Sequence, residues 1–432
     1  MGVSMGSRLL WRRSATAVGT YASVAFGVVG TIVAARVLGP DDFGRFALAF
    51  AVVSFFQVLL DLTLEEAVVK FGFRYRVQEE WGRLRRLYEV GVAAKLVGGL
   101  AAALIVAALA PVASSLFGTD DLALPLLVGA LLPLVQSPEA VAGTAFLLHG
   151  RYDVRGWFLA VSMVLRLGAF AIGAPHGVAW TMAALVIAQC LATAAICTAA
   201  LIALRRFPLP AAEPLGDERG AIARFAAQSS VASGVVAVRP ALSPVLLGLV
   251  SIPLQVGFFR VAQAPAQGFN AVVAPARIVL LTENTRQWEE GRHERVFSSL
   301  RTYMLAAAGM MLVAVPLFYV LMPWLLPLVF GDDYDGAVTA ARIVLLAGAV
   351  QLILGWTKSF PVSIGRPNLR IVAHGIETVV LIPLVLVLGA RWDAAGAAGA
   401  LLASTLVFAV VWAVLWGRVR AQTPPLAGAA AR

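Results

Sequence analysis

Charge is what this sequence has least of. Only 13% of its 432 residues are Asp, Glu, Lys or Arg, against about 25% in an ordinary soluble domain. That is too few charged side chains to clothe a water-facing surface. Cysteine is nearly missing as well. Cys190 and Cys197 are the only two, and seven positions along one helix place them roughly 10 Å apart, too far for a mutual disulfide. The sequence holds no metal-ligand spacing, nucleophile elbow or phosphate-binding glycine loop, so neither a metal, a cofactor nor catalysis is expected. Basic residues are not interleaved with aromatics on any soluble module, so the net charge of +10 does not read as a nucleic-acid surface.

What is present is hydrocarbon. Hydrophobic residues make up 60% of the chain and the mean hydropathy is +0.85. Apolar runs recur that exceed the roughly 20 helical residues needed to cross a bilayer core of about 30 Å. They lack the period-two alternation of barrel strands, so helices are expected. Twelve spans are read near residues 14–35, 43–66, 87–110, 121–148, 156–175, 178–204, 222–250, 253–281, 301–329, 337–360, 368–390 and 394–416, with kinks expected at Pro133, Pro265, Pro316 and Pro383. The leader Arg8 to Arg13 resembles a signal peptide, but the run behind it is too long for one and reads as a retained first span anchored by Arg12 and Arg13.

The loops alternate in charge. One set carries Arg74, Arg76, Arg83, Arg85 and Arg86, then Arg151 and Arg155, Arg205 and Arg206, Arg292 and Arg295, Arg366 and Arg370, and Arg418; the other carries mainly Asp41, Asp42, Asp120, Asp121, Asp332, Asp333 and Asp393. The positive-inside rule puts the basic set and both termini in the cytoplasm.

The two halves repeat at an offset near 213. Phe43-Gly44-Arg45-Phe46-Ala47 lies opposite Val256-Gly257-Phe258-Phe259-Arg260, Phe117-Gly118 opposite Phe330-Gly331, Gly150-Arg151 opposite Gly365-Arg366, and the basic stretch Arg74 to Leu87 opposite Arg286 to Leu300. Each half holds an even number of spans, so the repeat is parallel. The expected fold is an all-α membrane protein of about 12 transmembrane helices in two parallel six-helix lobes around a central cleft. The expected organisation is an N-lobe at 1–204, a cytoplasmic linker at 205–220, a C-lobe at 221–420 and a tail at 421–432.

The segment Ala35-Arg36-Val37-Leu38-Gly39-Pro40-Asp41-Asp42-Phe43-Gly44-Arg45-Phe46-Ala47 resembles the opening motif of the polysaccharide biosynthesis proteins. These are lipid-linked oligosaccharide flippases, of O-antigen type, within the multidrug/oligosaccharidyl-lipid/polysaccharide exporter superfamily. Val256 to Ala262 is similar to that motif's second copy, with Phe259 where tyrosine is expected, and Gly365-Arg366-Pro367-Asn368 fits the family's turn. The resemblance implies a carrier in a bacterial plasma membrane that moves a polyprenyl-diphosphate-linked glycan by alternating access for cell-surface polysaccharide assembly. Its implied partners are that glycan, membrane lipids, a glycan polymerase and glycosyltransferases.

Charges inside the spans are costly toward lipid and mark candidate function. Arg239 and Arg260 are candidates for the diphosphate, since guanidinium forks match phosphate oxygens; each also has a reading as a structural ion pair. Arg36 and Gln263 are further substrate candidates, with Gln267 and Asn270 at helical spacing from Gln263. Asp61, Glu65 and Glu66 end the second span and Arg277 the eighth, so Glu65 or Glu66 with Arg277 is a candidate gate. Lys95 is a candidate to balance Asp61 and Glu139 to pair with Arg166, while His374 with Glu377 reads either as a carrier of a coupling proton or as a satisfied polar pair.

Three other readings compete. A multidrug or other small-molecule exporter of the same superfamily shares the topology. A major-facilitator carrier would have a Gly-x-x-x-Asp-Arg-x-Gly-Arg-Arg loop where this chain has Phe73 to Arg83. A membrane glycan polymerase or ligase would need a large outer loop, and every outer loop here is short.

Overall fold

In the computed structural model, the backbone is described for residues 2–61, 63–208, 210–366 and 368–422, and side chains from residue 18 onward except at 20, 152, 232, 270–279 and 282. The expected tail, apart from 421 and 422, and the anchors Arg12 and Arg13 lie outside the described residues and side chains. All regular structure among the described residues is helical.

Among the described residues fifteen helices make the passes: α1 (Gly2–Leu60), α2 (Leu64–Val77), α3 (Trp81–Phe117), α4 (Ala123–Gly129), α5 (Leu131–Gln136), α6 (Glu139–Leu148), α7 (Tyr152–Gly173), α8 (Val178–Leu204), α9 (Glu218–Gly248), α10 (Pro253–Ala262), α11 (Ala264–Glu289), α12 (His293–Phe330), α13 (Val338–Ile353), α14 (Phe360–Ser363) and α15 (Asn368–Gln422). Two of these runs each contain two passes. The backbone of α1 turns at Gly39, whose φ of 72° suits glycine, and Pro40 restarts the helix with its fixed φ. The backbone of α15 turns at Trp392 and Asp393. Nine helical runs among the described residues are long and apolar enough to cross a membrane. Splitting the two doubled runs and adding α10 with α11 gives the twelve passes of a multi-pass membrane protein.

Several passes differ from the simple rods read in sequence. The second does not end at Glu66. It breaks at 61–63 and continues as α2 to Val77. Here the Thr63 amide donates to Ser230 Oγ at 2.8 Å instead of to the helix, and Lys95 holds Asp61. The fourth pass is three short helices, separated at Ala130 and at Ser137-Pro138. The eighth is divided at Gln263, one residue before Ala264-Pro265. Pro316 and Pro383, by contrast, lie inside helices that run on past them.

The repeat is visible in the turns. Left-handed backbone pairs Glu79 (φ 59°), Gly118 (60°), Gly150 (68°) and Gly177 (96°) in the first half with Gly291 (73°), Gly331 (111°), Gly365 (70°) and Asp393 (50°) in the second, while Gly39 (72°), Asp121 (64°) and Gly216 (56°) have no counterpart among the described residues. The pairs stand at an offset near 213 that drifts slowly upward, as the sequence motifs do. Such φ values are rare outside glycine, so four in matching order carry more weight than any short motif.

The chain forms two compact units, Met1–Val245 and Leu246–Arg432. Their boundary lies within α9, downstream of the expected linker at 205–220. The start of α9 belongs with the first unit because Ile222 and Ala226 are buried with Phe71, Tyr75, Tyr88 and Phe146, and Glu218 accepts from Tyr75 Oη at 2.6 Å and pairs with Arg74 at 2.9 Å. The linker is strapped to the same unit. Phe207 stacks on Trp81 and His149 at 5.2 and 4.1 Å, and the Glu213 amide donates to Gly82 O at 3.1 Å. The second unit instead gathers Phe297, Trp356, Phe360, Phe408 and Trp412 into an aromatic core. Leu312, Val313, Val320 and Leu328 of α12 are more than half exposed, a surface suited to acyl chains.

Candidate functional site: a charged cavity in the first unit

α3 crosses through a long apolar run in which Lys95 is the one charge after Glu89. An unpaired ammonium there would be expensive. Lys95 is only 3% exposed, and two carboxylates meet it: Asp61, at the break between α1 and α2, and Glu65 Oε2, in the first turn of α2, at 3.0 Å. The break brings this about, because it swings the chain so that Asp61 and Glu65 both reach α3. Gly98, one turn beyond Lys95, lets the broken stretch of helix approach. A Cβ there would stand 2.7 Å from the Leu60 carbonyl oxygen.

Asp61 and Lys95 border a cavity of about 190 Å³ whose wall includes Gln57, Gln136, Ser137, Glu139 and Arg155. Behind that wall runs a second polar network. Arg166 Nη2 donates to Gln189 Oε1 at 2.7 Å, and Gln189 Nε2 donates in turn to Glu139 Oε2 at 2.7 Å and to Thr193 Oγ1 at 3.0 Å. The expected Arg166–Glu139 pair is thus joined through Gln189, whose amide satisfies both charges at once. Toward the basic-loop end, a further cavity of about 420 Å³ is lined by Glu65, Glu66, Lys70, Thr144 and Arg155. Arg155, read in sequence as a loop residue, borders both cavities.

The remaining sequence candidates lie as follows. Glu66 accepts from the Ser229 hydroxyl of α9. Arg36 is exposed near the turn at Gly39, and Arg45 pairs with Asp42 at 3.0 Å in the first turns of the following pass. Arg239 is partly buried in α9, and its carbonyl accepts from Ser243 Oγ at 3.3 Å. Arg260 is partly buried in the last turn of α10, and Gln263 is the joint residue between α10 and α11, so Gln263 does not share an unbroken helical face with exposed Gln267. The side chains of Arg277 and Asn270 lie outside the described residues. His374 and Glu377 are buried and meet at 3.0 Å, with Phe408 stacked on the imidazole at 4.7 Å. Arg342 donates to Tyr319 O at 3.0 Å and lies over its ring.

Sequence reading missed Gln189, Gln136 and Arg155. The two glutamines are polar interruptions of apolar runs, which is a usable signal; Arg155 gave none, because its place in the basic loop explained it fully.

Residues 33–339 match the family described as polysaccharide biosynthesis protein. The chain belongs to that family. Solved structures share the fold of this family member. With the lipid II flippase MurJ, in an inward closed conformation, the TM-score is 0.74 at 10% identity, covering 93% of this chain and 87% of that one. With a variant of the Vibrio cholerae MATE transporter VcmN it is 0.63 at 13% identity, over 97% and 98%. With a MOP-superfamily transporter from Pyrococcus furiosus it is 0.63 at 14% identity, over 95% of each chain. Identities this low speak for the fold alone. No curated protein matches the chain.

Proposed function

We propose that this protein is a flippase that carries a polyprenyl-diphosphate-linked oligosaccharide across the bacterial plasma membrane for cell-surface polysaccharide assembly. The family match over residues 33–339 is the observation that carries this reading. The fold shared with a lipid II flippase supports it. Physically, the substrate's diphosphate and sugars cannot cross hydrocarbon without polar and cationic partners inside the spans. Arg239, Arg260 and Arg36 supply cations for the diphosphate, and Gln263 supplies an amide for sugar hydroxyls. Asp61, Glu65, Glu66 and Arg277 act in gating or coupling.

The test is translocation of a short-chain polyprenyl-diphosphate oligosaccharide in proteoliposomes. Wild-type protein moves it, while Arg239→Ala and Arg260→Ala, at equal membrane abundance, slow it by about tenfold or more for each charge-assisted hydrogen bond removed. Wild-type protein that leaves the lipid on its original side refutes the reading. A second reading, export of drugs or other small molecules, draws on the likeness to MATE transporters. Efflux of such compounds in vesicles that leave the glycan lipid unmoved favours it.

A further inference from the structure

We propose that the Asp61–Lys95–Glu65 triad is a proton-binding site, reached from the basic-loop side through the cavity between Arg155 and Glu66 and coupled to transport.

The first argument is charge. Lys95 carries +1 and its two carboxylates carry −2, so the triad holds a formal −1 around a side chain that is almost wholly buried. The excess negative charge lies on carboxylates that are 46% (Asp61) and 25% (Glu65) exposed, within reach of the cavities, where it draws a cation. The ammonium already occupies oxygens of both carboxylates, which leaves a poor cage for a metal ion but two good acceptors for a proton. On uptake, a hydronium in the outer cavity gives its proton to a carboxylate oxygen of Asp61 or Glu65. One O–H bond forms, one water is released, and Lys95 stays an ammonium paired with the remaining carboxylate, so the triad passes from −1 to zero.

Access is the second argument. Asp61 keeps 46% of its side chain exposed although its partner Lys95 keeps 2%. Asp61 lines the inner cavity, and Glu65 borders the outer one. The charged groups that face the triad are Glu139 from α6, Arg155 from α7, and Glu66 and Lys70 from α2; Ser229 and Ser230 face α2 and the break from α9. Glu139 is turned away into its bond with Gln189, so the proton has its acceptors in Asp61 and Glu65.

An internal control separates this site from a structural ion pair. The second half of the chain repeats the fold without the lysine and its Asp61 partner, although Glu65 corresponds to Arg277 or Ile278 and Arg155 to Arg370. At the offset of the repeat, Lys95 corresponds to Ala307 or Ala308, Asp61 to Val273 or Ala274, and Glu139 to Leu354. Packing of this pass therefore does not require the triad. A buried ion pair that the fold does not need is weak evidence for stability and good evidence for a task.

Coupling rests on the transport reading above, whereas proton binding does not, and the experiment keeps the two apart. In nanodiscs without substrate, infrared titration of the full chain shows a carboxylic-acid carbonyl band that grows as pH falls. Asp61→Asn and Glu65→Gln each remove part of it. In proteoliposomes, the wild-type rate varies by up to about tenfold per pH unit across the titration, as one linked proton requires. Asp61→Asn flattens that profile. Lys95→Gln, which removes the opposing cation, shifts it toward higher pH, and the doubly neutral Lys95→Gln/Asp61→Asn restores abundance should the single change impair folding.

An infrared band and pH profile unchanged in both carboxylate variants overturn the proposal, as does transport that depends on sodium but not on pH. A wild-type protein that titrates at the triad but moves no glycan lipid refutes the transport reading and leaves the proton site standing.

Discussion

The two units solve one packing problem with different chemistry. In the first, the repeat-related positions Gln136 and Gln189 serve charges, as Gln189 joins Arg166 to Glu139. In the second, the matching Gln351 and Thr405 bond each other, at 3.2 Å, with apolar residues where the charges would be. The same helical turns enclose a cavity with a lysine–carboxylate triad in one unit and, in the other, an aromatic core whose buried charged pair is His374 with Glu377. Backbone topology therefore does not dictate polarity.

Several substitutions sharpen that contrast, beginning with the largest expected effect. Lys95→Ala leaves Asp61 and Glu65 facing each other without their cation and lowers stability by about 3–5 kcal/mol, the usual cost of breaking a buried pair. Thermal unfolding in detergent measures it, and the added changes Asp61→Asn and Glu65→Gln return most of the loss. Gln189→Leu strips Arg166 and Glu139 of their common partner, at a cost of about 2–3 kcal/mol. Gly98→Ala pushes a methyl group toward the Leu60 carbonyl and costs about 1–3 kcal/mol. Because the helix break supplies Asp61, the same change also weakens the pH response of transport.

The smallest effects belong to neutral or exposed sites. Thr405→Val in the second unit removes one neutral hydrogen bond and costs only about 1 kcal/mol. Equal losses at Gln189 and Thr405 would break the comparison. Arg45→Ala, at a partly exposed pair in the turn shared by both repeats, costs less than about 1 kcal/mol. A larger loss there would mean that Arg45 does more than cap its helix.

Much of the architecture was legible in the residues. Apolar run lengths gave the passes, and the glycines at 118, 150, 331 and 365 gave turns that the backbone confirms. Lys95 with Asp61 was also readable, because an isolated ammonium in an apolar run must find an acid and few stood within reach. The break at 61–63 was not. No proline or glycine marks it, and its orphaned Thr63 amide is satisfied by Ser230, 167 residues away along the chain. Gln189 was hidden for the same reason: a lone amide in an apolar helix shows that something is polar nearby but not which charges it joins. Polar, proline-containing composition marks a linker whether or not other residues tie it down, and Phe207 and Glu213 do so here.

Sequence by itself determined the solvent, the number of passes, their duplication and the turns between them. These follow from hydrophobic length and from backbone torsions that only certain residues adopt, and both are local properties. Tertiary structure alone decided which charges share a cavity. That depends on the rotation and depth of each helix against its neighbours, set by close approaches such as Gly98 on Leu60, and no periodicity within a single helix encodes them.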